Sequence, residues 1–349
     1  MKISICNSGF NYPNVRAFLY PFIKFNSYFK ENGLICKFTQ DLYEECDIIF
    51  LESNVFGKKY HEKFNEIESI IKNLRRRVKK IIYFDTSDST SLLHPKLLPH
   101  VDVYCKSQIF SNLKNYKKKY YGNRIFTDFC HKKFKVKDRN VSYSEQVINE
   151  KHLKKIKLFW NSGILDHSMM GKIFSQIYYY LPIKFFLDVP KFKKFKKNND
   201  LFFYMTTKYL RNSVSWHRRK ALKKLNIDNP HRINFIKYYR YLARSKVCIS
   251  PFGWGEINYR DFEALIYGSL LLKPNMDHLD TWPNIYKLNS VFIYDWSCND
   301  IKKKLDVILK NYKVFSKYAF SSQLRYEEMI TPTKLKKHIL KIIKGIIKL

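Results

Sequence analysis

With 349 residues, 45% of them hydrophobic, and a net charge of +35, the chain is too long for one core and too apolar for a disordered basic tail. Two domains of roughly 150 residues are expected. Of the 65 basic residues 51 are Lys and 14 are Arg, the bias that A/T-rich codons supply, so the charge alone does not define a nucleic-acid binder. Helix-turn-helix, zinc-finger and RNP-like patterns are missing from the sequence. Seven cysteines without a Cys-x-x-Cys pair argue against a disulfide framework or a zinc site. The start Met-Lys-Ile-Ser-Ile-Cys is too short an apolar run for a signal peptide, and no stretch is long enough to span a bilayer. A cytoplasmic chain is expected, peripheral on the inner membrane face where its basic surface meets anionic lipid.

In chain order, the first half repeats a short apolar strand, a polar turn and a longer amphipathic stretch. Strands are predicted at Ile3–Cys6, Ile35–Phe38, Ile48–Leu51, Ile81–Phe84 and Val101–Cys105, with helices over Val15–Phe29 and Tyr60–Val78 among the intervening segments. Short parallel strands need helical crossovers, so the alternation predicts a doubly wound parallel sheet. Residues 136–155, polar and without apolar periodicity, read as a linker between a first domain over 1–135 and a second over 156–315. The second half restarts at Leu158–Trp160, with further strands at Phe185–Leu187, Phe202–Met205, Ile233–Ile236, Val247–Ile249, Leu270–Leu272 and Val291–Tyr294. Helices over 316–349 close the chain. The last is amphipathic, with Leu335, Ile339, Ile342, Ile343 and Ile346 on one face and Lys337, Lys341, Lys344 and Lys348 on another. It either lies on an anionic membrane or crosses back to brace the first domain.

The densest signal is Ser250-Pro-Phe-Gly-Trp-Gly-Glu-Ile-Asn258, followed by Tyr259-Arg-Asp-Phe-Glu263 and, after Gly268, by Leu270-Leu-Leu-Lys273-Pro274. It reads as a strand, a glycine loop, a helix and a second strand, with the loop at the carboxyl end of the strand where open α/β sheets bind ligands. Gly253 and Gly255 allow close backbone approach, and the helix start presents unpaired N–H groups to an anion. The block, with His278 and Thr281-Trp-Pro283 beyond it, resembles the donor-binding motif of GT-B glycosyltransferases, the two-Rossmann-domain class. The likeness is to bacterial family-1-type (group 1) members and, distantly, to exostosin-type enzymes. It implies two parallel sheets facing a cleft and a nucleotide-sugar held by the second domain. It also implies donor contacts from Gly253, Trp254, Gly255, Glu256, Tyr259 and Arg260, with Glu263 on the ribose. Many retaining members carry two glutamates eight positions apart; here Glu256 and Glu263 are seven apart.

Arg211, Arg218 and Arg219 follow the strand predicted at Phe202–Met205, and the resemblance places a diphosphate-gripping basic pair there. Asn161-Ser-Gly163 reads as a further small-residue loop for the donor, with Asn7-Ser-Gly9 as its counterpart in the first half. Asp85 and Asp88 follow the strand Ile81–Phe84 and are the candidates for general base or acceptor orientation. The other reading of that segment is an Asx-type cap. His94, His131 and His278 are further base candidates. No metal or cofactor is called for, the nucleotide-sugar being a co-substrate. The reading is a hexosyltransferase-like enzyme of polysaccharide biosynthesis acting on a glycan or lipid-linked glycan. The alternatives are a nucleic-acid-binding or -modifying protein and a non-catalytic GT-B-like scaffold.

Overall fold

The computed structural model describes residues 1–9, 12–57, 59–139, 141–165, 192, 194–227 and 233–349. The first half builds strands β1 (Lys2–Cys6), β2 (Ile35–Thr39), β3 (Ile48–Glu52), β4 (Lys80–Asp85) and β5 (Val103–Lys106), then the short β6 (Gln108–Phe110) and β7 (Ile156–Leu158). All but β6 form a six-stranded sheet of order β2-β1-β3-β4-β5-β7, paired in parallel throughout. The continuous run Ile48-Ile49-Phe50-Leu51 shows why: Ile48 and Phe50 enter one core while Ile49 and Leu51 enter another. A strand apolar on both faces must be covered by helices on both.

Those helices are α1 (Pro13–Lys24) with α2 (Asn26–Glu31), and α3 (Lys59–Glu62) with α4 (Phe64–Arg75). Each expected long helix is therefore a broken pair. Helix α5 (Ile125–Phe134) follows later in the chain. Strands β2 and β3 lie on opposite sides of β1, so the crossover direction reverses there and a crevice opens at the strands' carboxyl ends.

The second sheet, also parallel, has the order β12-β10-β9-β8, with β8 at Asn199–Phe202, β9 at Ser245–Ile249, β10 at Leu270–Pro274 and β12 at Val291–Tyr294. Helices α6 (Asn212–Lys224), α7 (Phe235–Arg244), α8 (Tyr259–Ile266), α9 (Ile301–Lys310) and α10 (Tyr312–Ile330) accompany it. The chain is thus an α/β protein with two parallel sheets, as the sequence pattern predicts. Between the halves β6 pairs antiparallel with β11 (Leu279–Thr281), a three-residue ladder too short to leave a period in the sequence.

Several expectations change. The strand near Leu158–Trp160 is Ile156–Leu158, and it completes the first sheet by pairing with β5. The strand near Phe202–Met205 lies three residues earlier. Ile233–Ile236 is not a strand: the Asn234 side chain accepts from the Lys237 N–H and caps α7, and an N-cap of this kind favours helix over strand. Phe185–Leu187 lies outside the described residues.

The final helix α11 (Pro332–Lys348) takes the bracing alternative. Leu335, Ile339, Ile343 and Ile346 sit in the first half's core with Phe18, Phe22 and Phe50, and Trp282 stacks on His338 at 3.9 Å. The apolar face that would meet a bilayer is covered. No helix among the described residues is long and apolar enough to cross a membrane.

Candidate functional site between the two sheets

The carboxyl ends of β4, β5 and β7 and the loop after β9 enclose a small crevice of ≈ 30 Å³ lined by Asn14, Thr86, Asp88, Gln108, Asn161 and Ile257, among others. Its first-half wall is polar and internally bonded. Glu52, at the end of β3, is fully buried and gathers the hydroxyls of Ser8, Ser53 and Thr86 with the Asn54 backbone and side-chain N–H groups. Asn14 donates to the Thr86 carbonyl. Asn7, in the turn after β1, accepts from the Gly9 N–H and bonds locally.

The two aspartates after β4 part company. Asp85 is fully buried and accepts from Lys106 at 2.8 Å, from the Tyr104 hydroxyl at 2.7 Å and from the Ser87 N–H at 2.9 Å. Burial alone would raise its pKa; the Lys106 ammonium reverses this and holds it at about 2. It does not reach the crevice. Asp88 does, with its carboxylate one-third exposed and paired to Arg124 at 2.8 Å. Arg124 at the start of α5, which no motif flagged, also donates to the Trp254 carbonyl, so it ties the first half to the glycine loop.

That loop shows what its glycines are for. A Cβ on Gly255 would lie 1.7 Å from the Asp88 carbonyl oxygen, and one on Gly253 would lie 2.5 Å from Asn258 Oδ1 and 3.2 Å from an Arg218 amino nitrogen. The close approach at Gly255 is to the protein's own first half. A Cβ on Gly163 would likewise lie 2.4 Å from the Phe262 ring, and Asn161 donates to Thr281 Oγ1 and the Pro283 carbonyl. Asn161 lines the crevice; Gly163 serves packing between the halves. Trp254 is 42% exposed, with the Arg124 and Arg211 guanidiniums 5.9 and 5.7 Å from its ring centre. Arg211 donates to the Gly122 carbonyl.

Glu256 is buried at the junction. Its Oε2 accepts from the Thr90 N–H and Gln108 Nε2, both from the first half, while Oε1 has no hydrogen-bond partner among the described residues. Burial pushes its pKa up to about 7. His278 Nε2 lies 4.0 Å from Oε1, and burial lowers that imidazole to about 4. His94, bonded to the Tyr83 hydroxyl, and His131, stacked on Tyr121, serve the first half's interior instead.

Helix α8 starts with a capping box, Asn258 and Asp261 each accepting from the other's backbone N–H. Asp261 also forms a fully buried ion pair with Lys273 at 2.8 Å and accepts from the Tyr286 hydroxyl. Beside it lie two guanidiniums with no carboxylate in ion-pair range among the described residues. Arg218, only 6% exposed, donates to the Phe252 and Thr206 carbonyls. Burial pulls its pKa down to about 10, and Arg260 adds to the effect. Arg260 donates to the Tyr204 carbonyl and lies near the Phe202 and Tyr238 rings. Lys273 is lowered by burial and by both arginines. Arg219, next to Arg218 in sequence, is exposed on α6 and donates to the Thr207 carbonyl. Glu263 is 6% exposed, its oxygens accepting from Tyr239 at 2.8 Å and Tyr238 at 2.7 Å. Tyr259 on the same helix turn interacts electrostatically with Arg16 of α1.

Fold and site together define a two-sheet α/β protein with a polar crevice between its strand ends and buried cations behind the glycine loop. No family model matches the sequence, and no curated protein matches it. Among solved structures, an α1,3-fucosyltransferase is similar at 10% identity and a TM-score of 0.42, over 100% of this chain and 90% of that one. Anabaena HepE in complex with UDP-glucose is similar at 8% identity and 0.46, over 99% and 100%. The UDP-GlcNAc 2-epimerase of Neisseria meningitidis bound to UDP-GlcNAc is similar at 11% and 0.38, over 91% and 94%.

Proposed function

We propose that this chain is a glycosyltransferase that takes a sugar from a nucleotide-sugar and passes it to a hydroxyl of a glycan or lipid-linked glycan. The observation that carries the reading is Arg218, a buried guanidinium without a carboxylate partner among the described residues, packed against Gly253 at the carboxyl end of β9. A desolvated cation is costly unless an anion joins it. With Arg260 beside it and the amino terminus of α8 adjacent, the fitting anion is a diphosphate.

In this reading the acceptor's hydroxyl enters the crevice. Its oxygen forms the new bond to the anomeric carbon as the bond to the diphosphate breaks, and the electron pair leaves with the phosphate. Asp88 takes the acceptor's proton, being the carboxylate that lines the crevice. Arg218 and Arg260 neutralise the leaving group as charge develops, so charge stabilisation runs through side chains and not through a metal. The ribose lies toward Glu263, sharing its carboxylate with the tyrosine hydroxyls.

The test is thermal stability of the full chain against UDP-, GDP-, ADP-, CMP- and dTDP-sugars. A ligand that binds only the folded state raises the melting temperature. A shift with one nucleotide family supports the proposal. A shift with DNA or RNA alone favours a nucleic-acid function, and no shift at all favours a scaffold.

A further inference from the structure

We propose that the outer face of α9 and α10 docks on an anionic membrane leaflet, with a lipid headgroup seated in a groove beside α10. The inference is independent of the glycosyl-transfer reading.

The groove, ≈ 330 Å³, lies between α10 and the segments leading into β8 and β10. It is therefore at the amino ends of those strands, the end opposite the crevice. Its walls include Lys194, Phe195, Lys197, Tyr312, Lys317 and Phe320, and no acidic residue among the described ones lines it. Lys197 spends its ammonium on the Ala243 and Tyr267 carbonyls and the Ser269 hydroxyl, which fixes the floor. Lys194 lies 3.9 Å from the centre of the Phe320 ring. Neither Lys194 nor Lys317 has an ion-pair partner among the described residues.

The exposed sides of α9 and α10 carry two kinds of group. Val307, Val314, Tyr318 and Leu324 are 45%, 54%, 38% and 47% exposed. On the same two helices and the turn joining them Lys303, Lys304, Lys310 and Lys313 are exposed. The carboxylates on this side are largely engaged: Asp306 pairs with Lys302 at 2.7 Å, and Glu328 with Lys334. Lysines alone would suit any polyanion. Exposed aliphatic side chains among them fit a boundary where the ammonium groups meet headgroups and the apolar tips enter the acyl region. A nucleic-acid backbone would leave those tips against polar surface. Helix α11 cannot serve, since its apolar face is buried in the first core.

The experiment is co-sedimentation of the full chain with phosphatidylcholine vesicles, with and without phosphatidylglycerol, at low and high salt. The expected result is salt-sensitive binding to the phosphatidylglycerol vesicles only. Lys313→Glu with Lys317→Glu weakens it by about tenfold or more. Phe320→Ser with Leu324→Ser also weakens it but leaves the salt dependence in place. Lys341→Glu with Lys344→Glu on α11 leaves binding unchanged, and circular dichroism confirms that each variant folds. Any of four results overturns the proposal: no binding to anionic vesicles, equal loss in the α11 variant, full displacement by soluble glycerol phosphate, or tighter binding of oligouridylate through the same lysines.

Discussion

Each half buries one lysine–aspartate pair at the ligand end of its sheet, Lys106–Asp85 in the first and Lys273–Asp261 in the second, both at 2.8 Å and both wholly inaccessible. Their surroundings differ. Around Asp85 a tyrosine hydroxyl, the Ser87 backbone N–H and the Ser87 hydroxyl bonded to Lys106 complete a closed network. Around Asp261 one carboxylate oxygen lacks a hydrogen bond among the described residues, and the Arg218 and Arg260 guanidiniums crowd the same space. The first pair is finished as it stands. The second belongs to a cluster with excess positive charge, and this is why the proposed diphosphate is placed in the second half.

The sharpest way to break that comparison is to remove one aspartate at a time. Asp85→Ala and Asp261→Ala each leave a buried lysine unpaired and should cost about 3–5 kcal/mol in denaturant unfolding. Saturating nucleoside diphosphate should stabilise Asp85→Ala by the same increment as the wild-type chain and Asp261→Ala by a larger one, because there the added anion also faces the unpaired Lys273. An equal increment in both, or none in either, would erase the distinction.

A smaller effect is expected from the junction. Burial lifts Glu256 from its usual 4.5 to about 7, so between those values the folded chain holds a proton that the unfolded chain has released. The stability this contributes is complete below about 4.5 and is lost as pH rises through about 7, by on the order of 3 kcal/mol at most. Glu256→Gln should remove that slope from a pH series of unfolding curves; an unchanged slope would place the titration elsewhere. Smaller again, Tyr238→Phe and Tyr239→Phe each delete one hydrogen bond to Glu263 and should cost about 1–2 kcal/mol. Glu263→Ala should weaken nucleotide binding as well, which calorimetry would report.

The sheets were legible because buried parallel strands write continuous apolar runs, as at Ile48–Leu51 and Leu270–Leu272. The glycine loop was legible as a site, but not the reason for its glycines, since the Asp88 carbonyl that Gly255 meets is 167 positions earlier in the chain. The same distance problem hid Arg124, Gln108 and the β6–β11 ladder, whose partners at Trp254, Glu256 and Leu279–Thr281 come from the opposite half. Glu52 left a trace that could have been read, a carboxylate closing the apolar run at the ligand end of β3. Asp85 and Asp88, alike in sequence, separate only once Lys106 is placed beside one and Arg124 beside the other. Arg218 and Arg219 separate by helix geometry: adjacent residues point about 100° apart, so only one can turn inward.

The most direct test is titration calorimetry of the nucleoside diphosphate picked out by the stability panel, against the wild-type chain and Arg218→Met. Methionine keeps much of the buried volume and removes the charge. The account predicts that affinity falls about 10- to 100-fold, the loss expected for charge-assisted hydrogen bonds to phosphate, while the melting temperature without ligand holds. Undiminished affinity in a folded Arg218→Met chain would contradict the assignment of the diphosphate to the second half.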